Sequence, residues 1–169
     1  DEPLTMDYIK AGAKVKITDE AGKEYPNTLG NDLILWHLTS NLPVTDKPFT
    51  LEVDMPGHFT VKKIFTIGLN ENGEVKPYSK ALYYDRAPAG DVNKDNVIDI
   101  NDALYIQTYW KTNKRAADIN FDGVVNEKDM QYVINNYLMQ NPWMDKAPKA
   151  EKKFKSQTLE SIKSALGIQ

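Results

Sequence analysis

The 169-residue chain has no cysteine, two histidines, no long apolar run and little net charge. Without cysteine there are no disulfides, no thiolate zinc sites and no cysteine nucleophile. No apolar run reaches the roughly 18 residues a membrane helix needs. A net charge of −3 with no basic stripe offers nothing that would track phosphates, which argues against a nucleic-acid partner. His37 lies within an apolar strand and is expected as a core or edge histidine, not a base, and His58 follows the Pro56-Gly57 turn and is expected at the surface. No G-x-S-x-G elbow and no glycine-rich phosphate loop accompany them, so no catalytic set is present. No signal peptide is visible and the chain starts at Asp1 rather than Met, so it reads as a mature or excised piece of a longer protein.

What is present is globular in balance: 41% hydrophobic and 27% charged residues. The first part alternates with period two. "AKVKITD" sets Val15 and Ile17 against lysines, and "PFTLEVDM" sets Phe49, Leu51, Val53 and Met55 against polar residues. "DLILWHL", from Asp32 to Leu38, is denser and predicts a central strand buried on both faces. In "HFTVKKIFTIGL" the apolar phase shifts between Val61 and Ile64, which predicts a bulge. Turns are expected near Gly22, at Pro56-Gly57 and at the "NENG" ending at Gly73.

The period changes after "RAPAG", Arg86 to Gly90. "NDALYIQTYW" then places Ala103, Ile106 and Trp110 on one helical face, and "DMQYVINNYL" does so for Met130, Val133, Ile134, Tyr137 and Leu138. Pro142 and Pro148 interrupt helix, and Phe154, Leu159, Ile162 and Leu166 recur at near-helical spacing in a lysine-rich end, predicting a terminal amphipathic helix.

The second half repeats itself. "DVNKDNVIDIND" (Asp91–Asp102) matches "DINFDGVVNEKD" (Asp118–Asp129) at an offset of 118 − 91 = 27. Positions 1, 3, 5, 9 and 12 are Asp91, Asn93, Asp95, Asp99 and Asp102, then Asp118, Asn120, Asp122, Asn126 and Asp129. Acidic groups packed this closely repel unless a cation or open water relieves them, and calcium takes six to eight oxygens at about 2.3–2.6 Å. Position 7, Val97 or Val124, would supply a backbone carbonyl, and position 6, Asn96 or Gly123, needs a positive φ. Neither loop offers His or Cys to a transition metal, and magnesium prefers fewer protein ligands. Two Ca²⁺ ions are therefore expected.

These duplicated loops, each followed by one helix, resemble a type I dockerin over Gly90 to about Leu138. An ordinary EF-hand would need an incoming helix, which "RAPAG" cannot supply, and normally Glu at position 12. The resemblance implies docking to a cohesin-like protein through positions 10 and 11, here Ile100-Asn101 and Glu127-Lys128. The two pairs differ, so a single binding mode is expected. The front region resembles a carboxypeptidase-regulatory-like or X-module sandwich on its "VKITDEAGKEY" and "PFTLEVDMPGHFTVKK" segments. Together these imply the C-terminal region of a bacterial secreted hydrolase such as a serine protease, hence an extracellular or cell-surface location.

The expected fold is therefore two domains. An all-β Ig-like sandwich spans residues 1–87 and a small all-α, calcium-binding, dockerin-like domain of tandem F-hands spans 88–141. A linker and an extra C-terminal helix follow over 142–169. The expected role is non-catalytic docking. The rivals are a calcium-stabilised structural tail of a secreted protease, with the last helix docked intramolecularly, and a weaker carbohydrate-binding reading in which Trp36, Trp110 and Trp143 stack sugars.

Overall fold

The computed structural model of the chain describes residues 7–31, 35–39, 42–68 and 87–169. The N-terminal region is built on an antiparallel sheet of order β2-β1-β5-β6, from β1 (Lys14–Asp19), β2 (Glu24–Tyr25), β5 (Thr45–Asp54) and β6 (Val61–Ile67). The β1–β2 turn forms because Asp19 Oδ1 accepts from the backbone N–H groups of Ala21 and Lys23, while Gly22 takes φ +80° at no steric cost. Register runs from Lys14↔Asp54 to Asp19↔Phe49 between β1 and β5. One face therefore collects Val15, Ile17, Phe49, Leu51, Val53, Val61 and Phe65 into a buried cluster. Phe49 stacks on Phe65 and meets Tyr25 edge-on, both at 5.6 Å between centroids.

Two strand expectations change. β6 holds one phase throughout, with Val61, Phe65 and Ile67 inward, and Ile64 simply faces solvent at 72% exposure. The irregularity lies in β5 instead, between Thr45 and Pro48, where proline cannot donate to the ladder. Within the "DLILWHL" run, β4 (Leu35–Thr39) pairs with β3 (Asn27–Asn31) in a separate two-stranded sheet, not at the centre of the larger one. Asp32 to Ile34, Arg86 and the "NENG" turn lie outside the described residues.

The C-terminal region carries α1 (Ile100–Thr108), α2 (Glu127–Asn135) and α3 (Leu159–Leu166), with the hairpin β7 (Lys153–Phe154) and β8 (Gln157–Thr158) before the last helix. Leu138 lies beyond the end of α2 at φ +68°. Phe154 is in the hairpin and exposed, because the chain turns at Lys155 (φ +52°) and α3 begins only after its cap, Thr158. Thr158 Oγ1 accepts from Ser161 N while Ser161 Oγ accepts from Thr158 N.

The expected Ig-like sandwich followed by an all-α domain of tandem F-hands is not what forms. The N-terminal region is β-rich, and only three short helices follow. Helix is confined because each duplicated loop holds its backbone in turns with positive φ at Lys94, Asn96, Phe121 and Gly123. The pieces between helices pair as strands do, at Val97↔Gln140 and in β7–β8. Nor do the two regions stand apart. Phe59, from the β-rich part, is fully buried in the same apolar cluster as Ile98, Ile106, Met130, Val133 and Ile162. Gly90 N donates to Gly57 O and Phe59 N to Pro88 O, fixing the crossing point. Among the described residues no helix is long and apolar enough to cross a membrane.

Candidate functional site: the duplicated oxygen-donor loops

The two loops share a pattern of hydrogen bonds at the offset of 27. Asp91 Oδ1 and Oδ2 accept from Asp95 N and Asn96 N, as Asp118 does from Asp122 N and Gly123 N. Asn93 Oδ1 takes Asp95 N at 2.9 Å and Asn120 Oδ1 takes Asp122 N at 3.1 Å. Asp95 accepts from Val97 N, and Asp122 from Val124 N. The twelfth positions close the loops. Asp102 accepts from Val92 N, Asn93 N and Asp99 N, and Asp129 from Ile119 N, Asn120 N and Asn126 N. Position 9 caps each helix, Asp99 taking Asn101 N and Asn126 taking Lys128 N, both at 2.8 Å. Asn96 and Gly123, at position 6, sit at φ +72° and +93°.

Asp91, Asp99, Asp102, Asp118 and Asp129 are buried. Burial pushes the Asp91 carboxyl up to about 6, against the pull of nearby Lys94 and with the push of Asp95. Burial also pushes Asp102 up to about 8, outweighing its backbone donors, and Asp91 adds repulsion. Asp129 is raised for the same first reason, with Asp118 adding to it. Among the described residues no group of three or more His, Cys, Asp or Glu side chains gathers as a metal cage would. The side-chain oxygens in each loop are instead mixed, carboxylates with one or two amides, and in the second loop the Val124 carbonyl accepts from Asn126 Nδ2 at 3.2 Å. Oxygen-only donors around buried, mutually repelling carboxylates match the preference of a hard cation.

The repeats also lock each other. Ile98 N donates to Met139 O and Leu138 N to Ile98 O, while Val125 N donates to Thr112 O and Lys111 N to Val125 O. Each loop's eighth residue thus pairs with the chain leaving the other repeat's helix, a two-fold exchange that ties the loops into one unit.

The residues at positions 10 and 11 part company. Ile100 is fully buried and Asn101 is half-buried, whereas Glu127 and Lys128 are exposed. His58 is buried, with Nδ1 donating to Pro56 O at 3.0 Å, so its expected surface position is not the observed one. Trp110 and Trp143 pack against the apolar clusters, so these two do not form an exposed stacking platform. The side chains of Trp36 and His37 lie outside the described residues.

Local pattern did not reveal the residues that hold the loops to the sheet. Lys94, at position 4, donates to Met55 O at 3.1 Å and His58 O at 2.6 Å and pairs with the Asp54 carboxylate. Burial works against charged Asp54, and the Lys94 ammonium outweighs it, holding that carboxyl below its usual range. Arg115 donates to Ala11 O and Asp118 O and lies 4.7 Å from the Phe121 ring centroid. Asn141 Nδ2 donates to Thr60 O and Asn96 Oδ1. Single lysines, arginines and asparagines in loops carry no periodic signal.

The geometry defines a class: a pair of loop–helix repeats closed on each other and seated on a β-sheet. Residues 89–138 match the family model of the dockerin type I domain, a protein–protein docking module with no catalytic part. No curated protein matches the chain. Among solved structures, the chain is similar to one in a mutant type II cohesin–X-dockerin complex from Acetivibrio cellulolyticus. The identity is 14%, the TM-score 0.50, and the match covers 83% of this chain and 90% of that one. At that identity the likeness concerns the fold.

Proposed function

We propose that the chain is a calcium-loaded docking module, and that its partner is a cohesin-type domain. The observation that carries this is the shared hydrogen-bond pattern of the two loops at positions 1, 3, 5, 9 and 12, within a segment matching the dockerin type I family. In this reading Asp91, Asn93, Asp95, Asp99, Asp102 and the Val97 carbonyl hold one Ca²⁺. Asp118, Asn120, Asp122, Asn126, Asp129 and the Val124 carbonyl hold the second. Each ion would neutralise buried carboxylates and fix the start of α1 or α2, so its binding free energy adds to folding. The β-rich part up to residue 87 acts as the platform on which residues 88–141 rest, and the segment 142–169 as an accessory to the helices. A secreted or cell-surface setting and attachment to an extracellular hydrolase fit the same reading. A structural tail of such an enzyme, without a cohesin, is the second reading, favoured by the packing of α3 on α1.

Calorimetric titration of calcium into chelator-stripped protein, followed by titration of purified cohesin domains, tests the proposal. Two calcium sites and calcium-dependent cohesin binding are expected. Two sites without any cohesin binding would favour the structural tail, and no calcium binding would remove both readings.

A further inference from the structure

The repeats are matched in their loops and mismatched on their helices. At the offset of 27, Ile100, Leu104 and Thr108 on α1 correspond to Glu127, Gln131 and Asn135 on α2. The α2 residues are all exposed, whereas Ile100 is fully buried and Leu104 packs against the apolar cluster; Thr108 is exposed like Asn135, so the difference is confined to the first part of α1. The C-terminal segment provides the covering. Ile100 N donates to Glu151 O at 3.2 Å, and Glu151 N donates to Asp99 Oδ2 at 2.7 Å. Tyr137 Oη donates to Lys152 O at 3.1 Å. From α3, Ile162 enters the shared core with no exposure, joined by Leu159, Leu166 and Ile168. At the second repeat, the position-9 residue Asn126 uses its side chain on Lys128 N and Val124 O, both within its own repeat.

We infer that residues 150–168 are a built-in cover over the start of α1, leaving the start of α2, with Glu127 and Lys128, as the one partner-binding face of the pair. This rests on the docking reading above. A symmetric duplication would offer two equivalent faces and two orientations of the partner. Here the apolar Ile100 and Leu104 belong to the cover's core and could not be uncovered without exposing them to water. On α2, Glu127 and Gln131 are exposed and Lys128 pairs with Asp122 Oδ2 at 3.3 Å, so a polar partner surface can meet this face without uncovering any core.

Because the chain has no cysteine, single thiols can report the two faces in the full chain. Ile100→Cys should react with a maleimide at least about tenfold more slowly than Glu127→Cys, since it reacts only through local opening. Equal rates would overturn the cover. In parallel, a panel of purified cohesin domains is titrated against the wild type, Asn101→Arg and the double variant Glu127→Arg/Gln131→Glu, which leaves the Lys128–Asp122 pair in place. The double variant should weaken binding by about tenfold or more, and Asn101→Arg should leave it within about twofold. Loss of affinity with Asn101→Arg, or loss only when both faces are altered, would overturn the single-face inference while sparing the docking reading. Absence of binding by all three forms would overturn the docking reading, and this inference with it, whatever the thiols report.

Discussion

At Gly57 the backbone takes φ +75°, and a Cβ there would stand 2.9 Å from Cγ1 of Ile119, the second residue of the second loop. Gly57→Ala combines left-handed strain with overpacking and should cost about 1–3 kcal/mol; a denaturant titration measures it. The carboxylates make a second prediction at this scale. Asp91 and Asp102 are raised in the fold to about 6 and about 8, above an unfolded value near 3.9. The folded state then binds more protons than the unfolded chain between about pH 4 and 8, so stability falls as pH rises through that window. Chelated protein should melt at lower temperature at pH 8 than at pH 5, and calcium should flatten the trend by favouring the ionised form. A melting temperature that climbs steadily with pH under chelation would contradict the burial argument. Position by position, the hydrogen-bonded turns of the two loops were legible because Asx side chains satisfy backbone within a few residues of themselves. The turn positions Asn96 and Gly123 were legible for the same local reason.

Helix α3 shows what an element contributes beyond its own stability. Eight residues cannot hold a helix alone in water, so its order comes from Ile162 and its neighbours packing on α1. Ile162→Ala should destabilise the protein by about 2–5 kcal/mol. Hydrogen exchange should quicken in α1 and α3 before it does in β1 and β5; uniform quickening would mean the cover is no separate element. The sequence announced the face Leu159, Ile162 and Leu166 by its spacing but misplaced Phe154. Spacing alone cannot show that a hairpin, set by a positive φ at Lys155, precedes the helix. Similarly, β1 and β5 were legible from clean alternation, while the apparent phase shift in β6 was one exposed isoleucine.

Across the whole molecule, Lys94, Arg115, Asn141 and Phe59 join the loops to the sheet. With calcium, thermal unfolding should therefore be one cooperative transition. Lys94→Ala with Arg115→Ala should separate it into two, seen when calorimetry is compared with near-ultraviolet circular dichroism. A single transition in that double variant would show that the apolar contact at Phe59 suffices. Chelation should lower the melting temperature through both loops, and each of Asp91→Ala and Asp118→Ala should reduce the calcium stoichiometry from two to one.

The sequence by itself determined the donor spacing, the 27-residue duplication, the alternation of β1 and β5, and the apolar spacing inside each helix, such as Ala103 with Ile106, Met130 with Val133 and Leu159 with Ile162. Each follows from the period of a local backbone conformation. Only the tertiary structure decided that the helical part is not all-α, that the loops are seated on the sheet, and which repeat is covered. Those outcomes depend on contacts such as Glu151 with Asp99, 52 residues apart, and Lys94 with His58, 36 apart. Such contacts leave no periodic trace, because the partners meet only after the chain has closed on itself.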